Sequence, residues 1–478
     1  MREEISHSPD DRVPVVVIVA DGARPDTLSS AIDGGSLPSL ARLREEGGFY
    51  TITSVFPSVT GPAYTPFVMG RYPGPVGLPG LRWYDRGRTT ARFPGNSRSY
   101  VGSEIRLMDG DLDPLAPTIF ELVPKSIAAL NIIGRGLSNR YRIGRGPRFV
   151  VRAARTHFGG NVRGWLAIDR DIGDEVAKRI RENNPDFVFA AFTGTDKTSH
   201  SAGHDAPIVQ DALRIVDETV AQIRDDAERT GRWDDMHIWV VSDHGHSPVT
   251  DHEDLVGLMR GLGLRAIAHP WVYSMSADVA VMVSGNAMAH IYLDLARRER
   301  PWWPSHDPRW KEITELLHSR ASVDLMILPR SPVECEVHGS GRGCARMTWG
   351  GGAISYEPLT GDPLGIGERR GLDDAEAYEA CIASDYPDAL VQIANLSGAT
   401  RSGEIILSAA RNWDFRSRYE PIRHISSHGA LHREHMLVPL LVNRPVPGLP
   451  RRTVDVMPSA LKALGISVPQ GLDGQPFN

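Results

Sequence analysis

VPVVVIVADGARPD, residues 13–26, decides the fold class. Its first eight residues are an unbroken apolar run rich in β-branched side chains, with no polar alternation. That pattern belongs to a strand buried on both faces, as in a parallel sheet covered by helices. The run is far shorter than the roughly 20 apolar residues that a membrane span needs. Asp21-Gly22 ends it in a turn, so the strand delivers a carboxylate at its carboxyl end.

Two further segments repeat the arrangement. PDFVFAAFTG (185–194) is a strand that feeds TGTDKTSHSAG (193–203), and MHIWVVSDHGHS (236–247) delivers Asp243 and His244. TITSVFPSV (51–59) is read as a strand leading to Thr60. SLPSLARLREEG (36–47) is read as a helix capped by Ser36 or Ser39 and stopped by Gly47. TGPAYTPFVMG (60–70) is read as a helix start with Pro62 in its first turn. Residues 206–230, with DALRIVDETVAQIRDDAERTG, are read as an amphipathic helix, HMLVPLLVN (435–443) as a late core strand, and TVDVMPSALKALGI (453–466) as a closing helix. The β–α–β order implies a mostly parallel central sheet flanked by helices, an α/β architecture. The Gly-punctuated stretch VECEVHGSGRGCARMTWGGGAISYEPLTGDPLG (333–365) reads as short strands, hence a β-rich insertion or lid. The expected division is a core of residues 1–265 and 420–478, with an α+β lid over 266–419.

The 478 residues suit one large α/β unit with insertions, or two lobes. With 53 Lys and Arg against 59 Asp and Glu, the formal charge is -6, and a general nucleic-acid binder would carry a basic excess. Three cysteines do not make a disulfide framework. They suit a reducing cytoplasm, with a single Cys335–Cys344 bridge left open. The start lacks a basic, then apolar, then small-residue leader pattern, so a cytoplasmic protein without a membrane anchor is expected.

Six donors sit at strand ends or in turns: Asp21, Asp196, His200, Asp243, His244 and His428. Carboxylate oxygen and imidazole nitrogen suit divalent cations such as zinc, and manganese or iron accept the same donors. Asp196 and His200 are four residues apart, so one helical turn aims both the same way. A seventh residue, Thr60, stands where a nucleophile is needed. The expected cofactor is a pair of divalent metal ions, zinc first.

The segments VADGARPD, FPSVTGPAYTPFVMGRYP, TGTDKTSHSAG, VVSDHGHSP, SSHGALH and DVMPSALKALGISVPQGLDGQP together resemble the alkaline phosphatase superfamily. The likeness is to its type I phosphodiesterase/nucleotide pyrophosphatase branch, with the related phosphonoacetate hydrolases and threonine-nucleophile phosphatases. It spans residues 13–476, with the middle matching poorly. The resemblance implies an alkaline-phosphatase-like sandwich. It also implies that Asp196, His200 and His428 hold one zinc, that Asp21, Asp243 and His244 hold the other, and that Thr60 is the nucleophile. The implied reaction cleaves a phosphodiester or nucleotide pyrophosphate bond through a phosphothreonine. A phosphomonoesterase, phosphonate hydrolase or phosphoryl transferase would use the same residues. A catalytically silent, metal-dependent binder of a phosphate ligand is the rival from another class.

One place departs from the family. An Asn usually lies three residues after the nucleophile; here the segment is Thr60-Gly61-Pro62-Ala63, and Ala63 has no side-chain donor. Gly61 also lacks the ring that would brace a nucleobase. Lys197 and Arg24 are candidate substitutes, and Gly61, His204 and His432 are further candidate substrate contacts. His246 is read as a substrate contact or an outer group. The expected partner is a small phosphate ester or phosphonate, with a nucleotide as one option. The Arg-rich stretch RGLSNRYRIGRGPRFVVRAAR (135–155) reads as a solvated face or an attractor of anions. His338, between Cys335 and Cys344, is read as part of a turn, with a further metal site as the rival. Trp83-Tyr84 and Trp302-Trp303 are read as packing residues.

Overall fold

A computed structural model describes residues 14–87, 96–269, 276–302, 308–415 and 424–478. The N-terminal residues read above for a leader, and Trp303, lie outside the described residues.

A seven-stranded sheet forms the centre, in the order Gly48–Thr53, Leu437–Val442, His237–Val241, Val15–Ala20, Phe187–Phe192, Ser126–Ala129 and Arg142–Ile143. Only Leu437–Val442 runs against the rest. Side chains alternate along the central strand. Val15, Val17 and Val19 enter one core with Phe187, Phe189 and Trp239. Val16, Ile18 and Ala20 enter a second core with Val188, Phe192, Ile238 and Val240. Both faces are therefore buried, which is why the strand reads as a continuous apolar run.

Helices Val162–Asn183 and Pro207–Arg229 cover the second core, the latter through Leu213, Val216, Val220 and Ile223 at helical spacing. The helix after Leu37 spans Pro38–Glu46, and neither serine caps it. Asp217 of the neighbouring helix accepts from the Leu40 amide at 2.8 Å instead. Tertiary packing thus supplies a cap that the sequence suggested was local.

The strand before Thr60 ends at Thr53. The segment beyond it holds a cis Phe56–Pro57 bond, and a short 3-10 turn follows at Pro62–Tyr64, then a five-residue helix Thr65–Met69. Thr60 therefore precedes a turn rather than a long helix, so the dipole expected behind it is small.

A second sheet of nine strands, nearly all antiparallel, is built from residues between Ala266 and Ala409. Its Leu325, Ile327, Cys335 and Val337 pack with Val55, Phe56 and helix Ala389–Gly398 in a common core. Cys335, Cys344 and Cys381 are all free. Cys335 faces this core, whereas Cys344 pairs with His338 on the other face, so the Cys335–Cys344 bridge left open above does not form. Trp83 packs edge-on against Tyr100 at 5.0 Å, as a packing residue should. No described helix is long and apolar enough to cross a membrane.

A buried relay fixes the segment that carries Thr60. Arg452 donates to both Asp388 oxygens, each at 2.8 Å. Asp388 accepts from Gln392 at 2.7 Å, and Gln392 accepts from the Phe56 amide at 2.8 Å. Arg452→Met strands a fully buried carboxylate and is expected to cost about 3–5 kcal/mol. The double variant Arg452→Met/Asp388→Leu should recover most of that loss. Urea unfolding followed by tryptophan fluorescence measures both; a single variant as stable as the parent contradicts the relay.

Candidate active site

Five segments arrive at one edge of the central sheet. Ala20 pairs with Phe192 and Val19 with Val241, so three neighbouring strands end level. Asp21 follows the first directly. The second leads to helix Gly194–Ala202, which carries Asp196 and His200 one turn apart. The third leads to Asp243 and His244. Gly48–Thr53 runs the same way and releases the chain towards Thr60. Leu437–Val442 runs oppositely, so its start, preceded by His428, lies at this same edge. Ser427 pairs with Ser247 in a small sheet that ties the His428 segment to the His246 segment. Ligands of open α/β sheets bind at such a carboxyl edge.

All six predicted donors and Thr60 meet there. His200 Nε2 lies 3.2 Å and His428 Nε2 3.4 Å from Asp196 Oδ1. His244 Nε2 lies 3.3 Å from Asp21 Oδ1 and 3.5 Å from Asp243 Oδ2. Thr60 Oγ1 lies 3.1 Å from Asp21 Oδ1 and 3.2 Å from His244 Nε2. The His244 and His428 rings stack at 3.7 Å, so the two groups abut. Charge-assisted N–H···O bonds are shorter, about 2.7–2.9 Å. Bonds of about 2.0–2.1 Å from zinc to N or O set neighbouring donors about 3.3 Å apart in a tetrahedral shell. The observed spacings match the shell better than they match hydrogen bonds. Asp243 Oδ2 is buried and accepts no hydrogen bond from any described residue. An orphaned carboxylate oxygen among such donors fits a metal ligand.

The ring tautomers agree. Nδ1 of His200 faces the Ser426 carbonyl at 2.9 Å, that of His428 the Ser58 carbonyl at 3.0 Å, and that of His244 the Gly245 carbonyl at 3.2 Å. A carbonyl only accepts, so each Nδ1 carries the proton and each Nε2 turns a lone pair inward. His246 behaves differently. Proximity alone groups it with Asp196, His244 and His428 in place of His200. Yet its Nε2 lies 2.9 Å from Asp196 Oδ1, an ordinary hydrogen bond, while Nδ1 faces the Ser426 hydroxyl at 3.1 Å. Its Nε2 donates and so offers no lone pair. His246 orients Asp196.

Electrostatics follow from burial. Burial, reinforced by the charge of Asp21, pushes Asp243 up to about 8. Burial opposes charge on His244, but Asp243 and Asp21 outweigh it and lift the ring to about 9. Burial also works against the Asp196 carboxylate, yet Lys197 and His200 hold it well below the usual range. Burial lowers His246 to about 3 and His428 well below its ordinary value. A divalent cation inverts this logic by favouring carboxylate and neutral imidazole together.

The candidate substrate contacts are placed less uniformly. Lys197 lies beside the cluster with Nζ 2.7 Å from Asp196 Oδ2. Arg24 donates to both Asp26 oxygens and to the His246 carbonyl at 2.9 Å, which clamps the Asp21 loop. His204 is half-buried near Arg24 and Asp26, and burial lowers it. His432 pairs with Glu434 at 2.8 Å, and its ring packs on His435. Gly61 adopts φ +105°, and a Cβ there would meet Ile132 at 3.0 Å and Leu81 at 3.6 Å. Arg145 donates to the Asn131 and Ile132 carbonyls at 2.8 and 2.9 Å. Part of the Arg-rich stretch thus braces the apolar wall beside Thr60.

Other contributors escaped the sequence reading. Tyr64 is fully buried with its hydroxyl 3.5 Å from Asp21 Oδ2. The His424 ring stacks on His200 at 4.1 Å and bonds Asn286 at 2.7 Å. Asn286 forms a bridge with His428, so a turn of the second sheet supports the site. The H-x3-H spacing of His424 and His428 was the signal available for His424. Nothing local marks Asn286.

Residues 15–320 match the family described as type I phosphodiesterase / nucleotide pyrophosphatase. The chain belongs to that family. It is thereby a metal-dependent hydrolase acting on phosphoric ester bonds, in the superfamily branch its motifs resemble. No curated protein matches the sequence. Among solved structures, phosphonoacetate hydrolase from Sinorhizobium meliloti 1021 in complex with phosphonoformate has a TM-score of 0.56 at 19% identity, covering 95% of this chain and 96% of that one. Murine ectonucleotide pyrophosphatase / phosphodiesterase 5, as an inactive variant in complex with AMP, has a TM-score of 0.54 at 14% identity over the same shares. Such identities show a common fold, the alkaline-phosphatase-like α/β architecture, across nearly the whole length of the chain.

Gly22 is a tight point of this family member's site. Its φ is +77°, and a Cβ would stand 2.9 Å from the His246 ring and 3.1 Å from Asp196 Cα. The left-handed conformation alone costs a residue with a Cβ about 1–2 kcal/mol. Gly22→Ala is expected to lower the melting temperature and to release metal on desalting, read by elemental analysis. Unchanged stability and metal content contradict the packing described.

Proposed function

We propose that the protein is a two-metal phosphohydrolase that cleaves a phosphodiester or nucleotide pyrophosphate bond through a covalent phosphothreonine. The observation that carries this reading is Thr60 Oγ1 standing between Asp21 and His244, at 3.1 and 3.2 Å. Asp196, His200 and His428 would hold one divalent ion and Asp21, Asp243 and His244 the other, with zinc the metal that suits these donors best. When bound, the ions supply positive charge that favours the Thr60 alkoxide and neutralises the phosphoryl oxygens.

The residues themselves orient and transfer. Thr60 gives up its proton to solvent and attacks phosphorus, and the leaving group departs in line, taking a proton from water. A water then attacks the phosphothreonine from the opposite side and frees Thr60. His246 keeps Asp196 turned towards the site, and Tyr64 does the same for Asp21. Lys197 stands nearest to the role of the missing Asn, and Arg24, His204, Gly61 and His432 complete the proposed surroundings of the substrate.

The wall beside Thr60 favours a diester. Ile132, Leu81 and Met108 line the space over Gly61. Lys197 and Arg24 are both engaged by carboxylates. A diester carries less charge than a monoester and offers a second substituent to an apolar wall. The phosphonate and AMP complexes of the structural neighbours fit a small phosphorus-containing substrate here. Residues 266–419 are proposed as a lid-like insertion on the core of 1–265 and 420–478. A cytoplasmic location rests on the sparse, unpaired cysteines.

Thr60→Ala is expected to keep its metal while hydrolysis of bis-p-nitrophenyl phosphate falls by about 10³-fold or more, as for loss of an activated nucleophile. The parent should turn over the diester faster than p-nitrophenyl phosphate. Undiminished turnover in the metal-loaded variant refutes the nucleophile. No turnover of any ester by the parent, with tight binding retained, favours the silent binder.

A further inference from the structure

We infer that the second sheet carries its own transition-metal site, formed by Glu336, His338 and Cys344. These residues lie on neighbouring strands, Glu334–Gly339 and Gly343–Gly350. His338 and Cys344 are cross-strand partners, and Glu336 is two residues before His338, so the pleat puts all three on one face. Cys335 and Val337 point to the opposite, core-facing side.

The spacings identify what the trio surrounds. His338 Nε2 lies 3.3 Å from Glu336 Oε2 and 3.5 Å from Cys344 Sγ. One N–H aims in one direction, and an ion pair with Glu336 alone would close to about 2.7–2.9 Å. Zinc bonds of about 2.0–2.1 Å to N and O and 2.3 Å to S place these donors about 3.3 Å and 3.6 Å apart in a tetrahedral shell. Both observed distances meet that geometry. Glu336 keeps its other oxygen on Arg330 at 2.5 Å, which fixes the carboxylate and leaves Oε2 to the metal. His338 and Glu336 retain 24% and 16% of their side-chain exposure, so an ion can enter. The His318 ring, at the end of helix Pro308–His318, stands edge-on to His338 at 6.3 Å.

A thiolate, an imidazole and a carboxylate select zinc, cobalt or copper over magnesium or calcium. Cys344 releases its proton to solvent as the metal binds. The ion would clip the hairpin between the two strands. This site shares no residue with the Asp/His cluster, so either reading can fail without the other.

Sulfur makes the test specific. The proposed active site contains no thiol, and Cys335 and Cys381 are buried in the core. The full-length protein loaded with Co²⁺ should show a thiolate-to-cobalt charge-transfer band in the near ultraviolet. The band should persist in Thr60→Ala and vanish in Cys344→Ser, with circular dichroism and phosphoesterase activity of Cys344→Ser unchanged. His338→Ala should abolish it also. Elemental analysis should find one zinc fewer per chain in Cys344→Ser. Absence of the band in the parent, its survival in Cys344→Ser, or an unchanged zinc count overturns the proposal.

Discussion

Asp21, Asp196 and Asp243 are each at most 1% exposed, and they share one edge of a parallel sheet. Burying a carboxylate in a low-dielectric interior is costly unless opposite charge accompanies it. Here three meet, with Lys197 as the adjacent cation. The strain is visible in Asp243, pushed up to about 8 by burial and by Asp21. The surrounding fold can be read as the means of holding these groups in register for positive charge. Strand exits supply Asp21, Asp243 and His244, helix Gly194–Ala202 supplies Asp196 and His200, and the segment after Ser427 supplies His428.

The imidazoles are oriented by backbone, not by chance packing. Three Nδ1 atoms face carbonyls of Ser426, Ser58 and Gly245, which lie in three different segments. Each bond fixes a tautomer and aims Nε2 at a carboxylate. The same logic separates His246, which spends its Nε2 proton on Asp196. The Arg452–Asp388–Gln392–Phe56 relay extends this control to the nucleophile segment. Stability far from the site and geometry within it are thus coupled through buried polar contacts.

Much of this was legible in the sequence. Val15–Ala20, Phe187–Phe192 and His237–Val241 announce themselves as apolar β-branched or aromatic runs, and their ends give Asp21, Asp196 and Asp243. His200 follows from helical spacing, and Thr60 and His428 from the family likeness. What stayed hidden depends on contacts between distant segments. The role of His246 rests on which nitrogen holds its proton. Asn286 reaches the site from a turn whose sheet pairing no local pattern reveals. The cap at Leu40 comes from Asp217, and the Cys344–His338 pairing requires the hairpin register. In each case the decisive partner lies across a packed interface or an adjacent strand.

The most direct measurement of the central claim is anomalous diffraction at the zinc edge from crystals of the metal-loaded protein. The account predicts two peaks roughly 4 Å apart at the sheet edge. One should be bounded by Asp196, His200 and His428, the other by Asp21, Asp243 and His244, with His246 outside both. A single ion held by Asp196, His246 and His428, or no ion at that edge, would contradict it.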